Sequence, residues 1–344
     1  MLFHLSPHLA LVQEFKPIEQ LLPWGFAGVD IFFVLSGFVV YKSADNAAFR
    51  WNTFLLRRIA RIFLGYWPVL VFLAGVTLVT GNWPTQTLFW KSVFLLSPSL
   101  FVNWLSTAWS LTYELYFYLW ITLLCVLTVR ARGRLIVILI AVLVAWNLGW
   151  HFLAFDGESP GALPLRFAFT GFGIEFFAGA LLAHWRQRDP WPQTSSGRLW
   201  LLFVGALFMV CGLIIGGSSP IYPIVDGIRA LTFGVAGLGC ILIALALADL
   251  QFSVWPPVVL VGDASYSLYL LHAPLLILMG LIREIWELSG PSLVIYSITV
   301  PLLIVWFSIY WFRWIEQPLF RWAMASRLFQ FISKPKGHPP PGVI

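Results

Sequence analysis

The chain has 344 residues, of which 60% are hydrophobic and 10% charged, with a mean hydropathy of +0.85. Soluble domains average about 25% charged residues, so this composition excludes an ordinary soluble fold and indicates a polytopic membrane protein. The formal net charge of +6 is distributed between apolar runs, which argues against nucleic acid as a partner.

In chain order, Met1 to about Gln13 is apolar but too short to cross a bilayer alone. It reads as the outer part of a helix whose beginning is missing. The first residues lack a basic region, so no cleavable signal peptide is expected. Runs of about 20 apolar residues predict membrane helices near 24–42, 60–80, 105–129, 134–153, 165–184, 199–217, 228–249, 257–282 and 292–314. The segment 87–104 reads as interfacial or as a short external helix. The expected architecture is all-α: a transmembrane bundle of about ten helices, the first truncated at its N-terminus. One membrane-embedded domain covers 1–330, and a Pro- and Lys-rich tail, 331–344, is expected to be disordered and cytoplasmic. The 19 Trp residues gather near predicted helix ends, where amphipathic rings favour the interface. Cys125, Cys211 and Cys240 lie inside apolar runs and read as small core residues. No metal-ligand spacing is present.

Lysine and arginine set the orientation. With the N-terminus cytoplasmic, the outer side holds five of the 21 basic residues: Lys16, Lys91, Arg166, Arg229 and Arg283. The other sixteen fall on the inner side. This predicts both termini in the cytoplasm and a plasma (inner) membrane location.

Ionisable residues within the spans form a layer. Asp30 interrupts the run 24–40, where an unpartnered charge costs roughly 2.5–3.5 kcal/mol. His4, Glu114 and Glu175 reach similar depth, at about 1.5 Å per helical residue. Ser265, Tyr269 and His272 approach it. Such a layer suggests a shared polar cavity. Asp30 and Glu175 could equally serve structure alone, and His4 could be an interhelical histidine. Three further patterns stand out. Arg57, Arg58 and Arg61 suit either a topology anchor or a phosphate clamp. Ser110, Glu114 and Tyr118 share one helical face, as do Ser265, Tyr269 and His272.

Taken together, four strings resemble the Acyltransferase 3 family of integral membrane O-acyltransferases, over nearly the whole chain. They are the run from Gly28 to Phe38; Arg57-Arg58 with Arg61; Trp109-Ser110-Leu111 followed by Glu114, Phe117 and Tyr118; and the string from Tyr266 to His272. Glu316-Gln317-Pro318 completes the set. Family members usually begin about ten residues earlier, with an Arg ahead of the His; the late start here is expected to be a mis-assigned start codon rather than a degenerate copy. A Pro frequent after the basic motif is also absent.

The resemblance implies transfer of an acyl group, acetyl foremost, from cytoplasmic acyl-CoA as co-substrate to a hydroxyl of a glycan or lipid-linked acceptor, with no bound cofactor. Arg57, Arg58 and Arg61 would hold the donor phosphates. His4 would act as base or transient acyl carrier, oriented by Glu114 or Asp30. Ser110, Tyr118, Tyr269 or His272 would meet the substrate or the developing oxyanion. The alternatives are a transporter or flippase with the same buried charges, or an inactive truncated homologue.

Overall fold

The computed structural model describes residues 22–46, 49–81, 83–97, 103–152, 163–188, 194–217, 227–327 and 329. His4, the first apolar segment and the 331–344 tail lie outside the described residues. All regular structure among the described residues is helical. A 3₁₀ turn, Leu22–Ala27, leads into α1 (Gly28–Ala44), followed by α2 (Trp51–Thr80), α3 (Gln86–Val93), α4 (Trp109–Val126) and α5 (Val129–Phe152). Next come α6 (Leu163–Ala168), α7 (Gly171–Arg186), α8 (Ser195–Gly216) and α9 (Gly227–Asp249). The chain continues through α10 (Pro256–Asp263), α11 (Ser265–Ile285), α12 (Gly290–Trp311), a π-turn at Phe312–Glu316, and α13 (Gln317–Ala325).

Nine stretches among the described residues are long and apolar enough to cross a membrane, matching the nine runs expected from hydropathy. Several boundaries differ, three of them near the site. The second begins at Trp51, not near 60, so Arg57 and Arg58 join Arg61 within its first turns. The run expected at 257–282 divides into α10 and α11 at Ala264. The last continues through the π-turn into α13, far past 314.

Helices α1, α4 and α7 form the centre. Phe33, Phe117, Phe172 and Phe176 interlock there, all essentially buried. Close approach of α1 to α7 depends on missing side chains. A Cβ at Gly37 would collide with the Phe176 carbonyl, and one at Gly179 with the Val34 carbonyl. Glycine here lets two backbones touch, a common solution where lipid supplies no hydrophobic drive between helices. By contrast, α5 and α8 turn most of their apolar side chains outward, as lipid-facing helices do.

Ion pairs fasten one end of the bundle. Asp45, just past α1, accepts Arg132 Nη1 and Arg188 Nη2, each at 2.6 Å. Arg186 pairs with Asp249 at 2.5 Å. These arginines, expected as inner-side topology charges, therefore also bind helix ends together.

Candidate active site

At that same end, α2 carries about three turns of mixed basic and apolar residues, Trp51 to Arg61. Its arginines line a cavity of about 610 Å³ together with Ser43, Asn46 and three phenylalanines. Arg50, Arg57, Arg58 and Arg61 all face it; Arg50 was absent from the expected clamp. The Arg58 guanidinium donates to Ser43 Oγ and lies over the rings of Phe54 and Tyr118, 5.4 and 5.8 Å from their centroids. The Arg57 guanidinium stands 5.7 Å from the Phe329 ring centroid. Neither Arg57 nor Arg58 forms an ion pair among the described residues.

From the cavity a polar column runs into the bundle along α4. Tyr118 donates its hydroxyl to Glu114 Oε1, one helical turn away. Glu114 Oε2 is buried with no hydrogen-bond partner among the described residues. Ser36 of α1 lies beside the same carboxyl, and Arg58 and Arg61 are within electrostatic reach of it. Two turns from Tyr118, Ser110 Oγ is 2.7 Å from the Tyr269 hydroxyl, which donates to the Thr107 carbonyl at 2.6 Å. Tyr118 and Ser110 are eight residues apart, so this column spans about 12 Å. His272 lies one turn beyond Tyr269, ring centroids 6.1 Å apart, with Nδ1 3.1 Å from the Leu268 carbonyl. Ser110, Glu114, Tyr118, Tyr269 and the arginines, expected to converge, do so. The exception on α11 is Ser265, which is exposed. The hydroxyl that turns inward is Ser267, donating to Glu316.

Asp30 has a further partner on α9. The expectation sets it beside His4, which lies outside the described residues, and Glu114; among the described residues its hydrogen-bond partner is Arg229. Arg229 Nε and Nη2 donate to Asp30 Oδ1 and Oδ2, each at 2.7 Å, and Nη2 also reaches the Phe26 carbonyl at 3.1 Å. Arg229 was counted as an outer-side topology charge, yet it is buried, with its guanidinium 4.7 Å from the Phe26 ring centroid. Glu175 lies beside this pair, and neither of its oxygens has a hydrogen-bond partner among the described residues. Bidentate geometry of this kind is how a guanidinium meets a carboxylate away from water. No group of three or more metal-ligating side chains occurs among the described residues.

A second residue escaped the expectation. Glu316 was noted only as part of a string after the last helix. It is buried, 2.7 Å from Arg61 Nη1, an arginine of the cavity wall.

A multi-pass helical bundle whose carboxylate- and hydroxyl-lined column lies behind an arginine-lined cavity forms a membrane-embedded site suited to a charged substrate. Comparison of sequences makes the class specific. Residues 1–311 match the model of the acyltransferase domain family, Acyltransferase 3, and the chain belongs to that family; it is an O-acyltransferase. Among curated relatives, the exopolysaccharide production protein ExoZ of Rhizobium meliloti (strain 1021) is 27% identical over 320 residues, covering 88% of this chain and 92% of ExoZ. Nodulation protein 10 of Rhizobium leguminosarum bv. viciae is 25% identical over 339 residues, covering 90% of this chain and 81% of that protein. No solved structure matches at a significant level.

Proposed function

We propose that the protein moves an acetyl group from cytoplasmic acetyl-CoA to a hydroxyl of a glycan at the opposite side of the plasma membrane. The observation that carries this reading is the cavity of about 610 Å³ lined by Arg50, Arg57, Arg58 and Arg61, with Glu114 and Tyr118 directly behind it. Several guanidinium groups converging on one cavity suit a polyanion such as a nucleotide, since guanidinium binds phosphate bidentately. The basic end of the bundle then faces the cytoplasm, which keeps both termini there. A glycan acceptor is favoured by the printed name of the exopolysaccharide production relative.

In this reading the donor's phosphates rest on Arg57 and Arg58, and its thioester arm enters the column. His4 removes the proton from the acceptor hydroxyl. The freed oxygen attacks the thioester carbonyl, the carbon–sulfur bond breaks, and His4 returns the proton to the departing thiolate. The open Glu114 Oε2 supports a carboxylate ready to accept an imidazole N–H and to stabilise its charged form. Tyr269 would meet an oxyanion by turning its one hydroxyl proton from the Thr107 carbonyl to the developing charge, while Ser110 Oγ donates to its oxygen.

The test uses membranes containing the protein, labelled acetyl-CoA, and the host's surface glycans. Label should enter the glycan fraction, stop with His4→Ala, and need a higher donor concentration with Arg57→Ala and Arg58→Ala. Unchanged transfer by His4→Ala at normal protein level removes His4 from the chemistry. Absence of label from every glycan removes the acceptor class.

A further inference from the structure

Of the four arginines lining the donor cavity, Arg61 differs from Arg57 and Arg58. Its Nη1 is 2.7 Å from Glu316 Oε1, and that carboxylate is only 2% exposed. Ser267 donates to the other oxygen of Glu316. The Arg61 guanidinium also lies over the rings of Tyr266 and Phe320, at 5.5 and 6.0 Å. The Tyr266 hydroxyl in turn donates to the Ile62 carbonyl at 2.8 Å, one residue beyond Arg61. Glu316 occupies the last position of the π-turn, closed by the Gln317 N–H to the Phe312 carbonyl and followed by Pro318. Single π-turns interrupting a helix frequently mark functional sites.

We propose that Arg61 and Glu316 form a positioning pair at the wall of the donor cavity, and that Arg57 and Arg58, not Arg61, supply the phosphate grip. Arg61 is 35% exposed, but a guanidinium already facing a buried carboxylate and lying against two rings offers a polyanion less free charge than Arg57 or Arg58. What it does offer is rigidity, because Arg61 and Glu316, with Tyr266, Ser267 and Phe320, tie α2 to α11, the π-turn and α13. The proposal rests on the donor-site reading above.

Two measurements separate the roles. Binding of coenzyme A to detergent-purified protein is followed by calorimetry, and acetyl transfer in membranes gives kcat and KM for acetyl-CoA. Arg57→Gln and Arg58→Gln should each weaken coenzyme A binding about 10- to 100-fold, the usual size of a lost hydrogen bond to a charged group. Arg61→Gln and Glu316→Gln should leave binding within about threefold and lower kcat by on the order of tenfold or more, the effect of misplacement near reacting atoms. The double variant Arg61→Gln/Glu316→Gln should be no worse than either single one, and Glu316→Asp should recover part of kcat. Ser267→Ala, a smaller change, should lower kcat in the same direction. The proposal is overturned when Arg61→Gln loses coenzyme A binding as Arg57→Gln does. It is overturned equally when the two kcat losses add, or when kcat per folded molecule is unchanged in the variants. Failure of the wild-type protein to bind coenzyme A at all instead removes the donor-site reading.

Discussion

Arg229 holds Asp30 through two parallel hydrogen bonds of 2.7 Å across 199 residues of sequence. The pair joins α9 to the start of α1, and no carboxylate of the Glu114 column takes part. Removing one member strands a buried charge, which costs about 3–5 kcal/mol. Arg229→Ala should therefore deplete folded protein, while Asp30→Asn/Arg229→Met should recover much of it. Thermal midpoints in detergent check this. A well-folded Asp30→Asn that has lost all transfer activity would return Asp30 to the chemistry.

Glu114 faces the opposite expectation. Its Oε1 is already satisfied by Tyr118, so Glu114→Gln keeps an acceptor there and should fold. It should nonetheless lower kcat, and His4→Ala should lower it by about 10²–10⁴-fold, the usual contribution of a general base. Combining the two should add little beyond His4→Ala. Rates from labelled acetyl-CoA, normalised to protein in the membrane, check the outcome.

Tyr269 and Ser110 are ranked by what each touches. If the Tyr269 hydroxyl meets the oxyanion, Tyr269→Phe should cost about 10²–10³-fold in kcat. Ser110→Ala removes only a bond that orients that hydroxyl, worth about 1 kcal/mol, so its loss should be nearer fivefold. An equal or reversed order in single-turnover rates would point to Ser110 as the direct contact.

Gly179 tests the packing rather than the chemistry. A side chain there meets the Val34 backbone, which cannot rotate away. Gly179→Ala should destabilise by about 1–3 kcal/mol, and Gly179→Leu by more. Thermal midpoints of both variants, read beside Gly75→Ala, where a Cβ meets nothing, give the comparison.

The crossings were legible because 20 apolar residues in a row leave few alternatives to a membrane helix. The column was partly legible too. Ser110, Glu114 and Tyr118 repeat every four residues, and that spacing fixes a shared face whatever else the chain does. Partners across the bundle have no such local mark. Nothing near Arg229 says that it turns inward to Asp30, and a loop-edge arginine looks the same when it anchors topology. Ser265 and Ser267 differ by two positions on one helix, and only the neighbouring Glu316 decides which faces in. The start of α2 was set late because Trp51 to Arg61 mixes basic and apolar residues, which lowers hydropathy without breaking the helix.

At 30 residues, α2 is about 45 Å long, and the hydrocarbon layer is about 30 Å thick. With Thr80 level with one boundary, a surplus of about ten residues projects past the other, and it runs from Trp51 to the neighbourhood of Arg61. The guanidinium-lined cavity then stands in the headgroup and water layer, while Glu114 and Ser110 stay inside the slab. A large, highly charged donor can dock without leaving water, and only its slender thioester arm needs to pass into the low-dielectric interior.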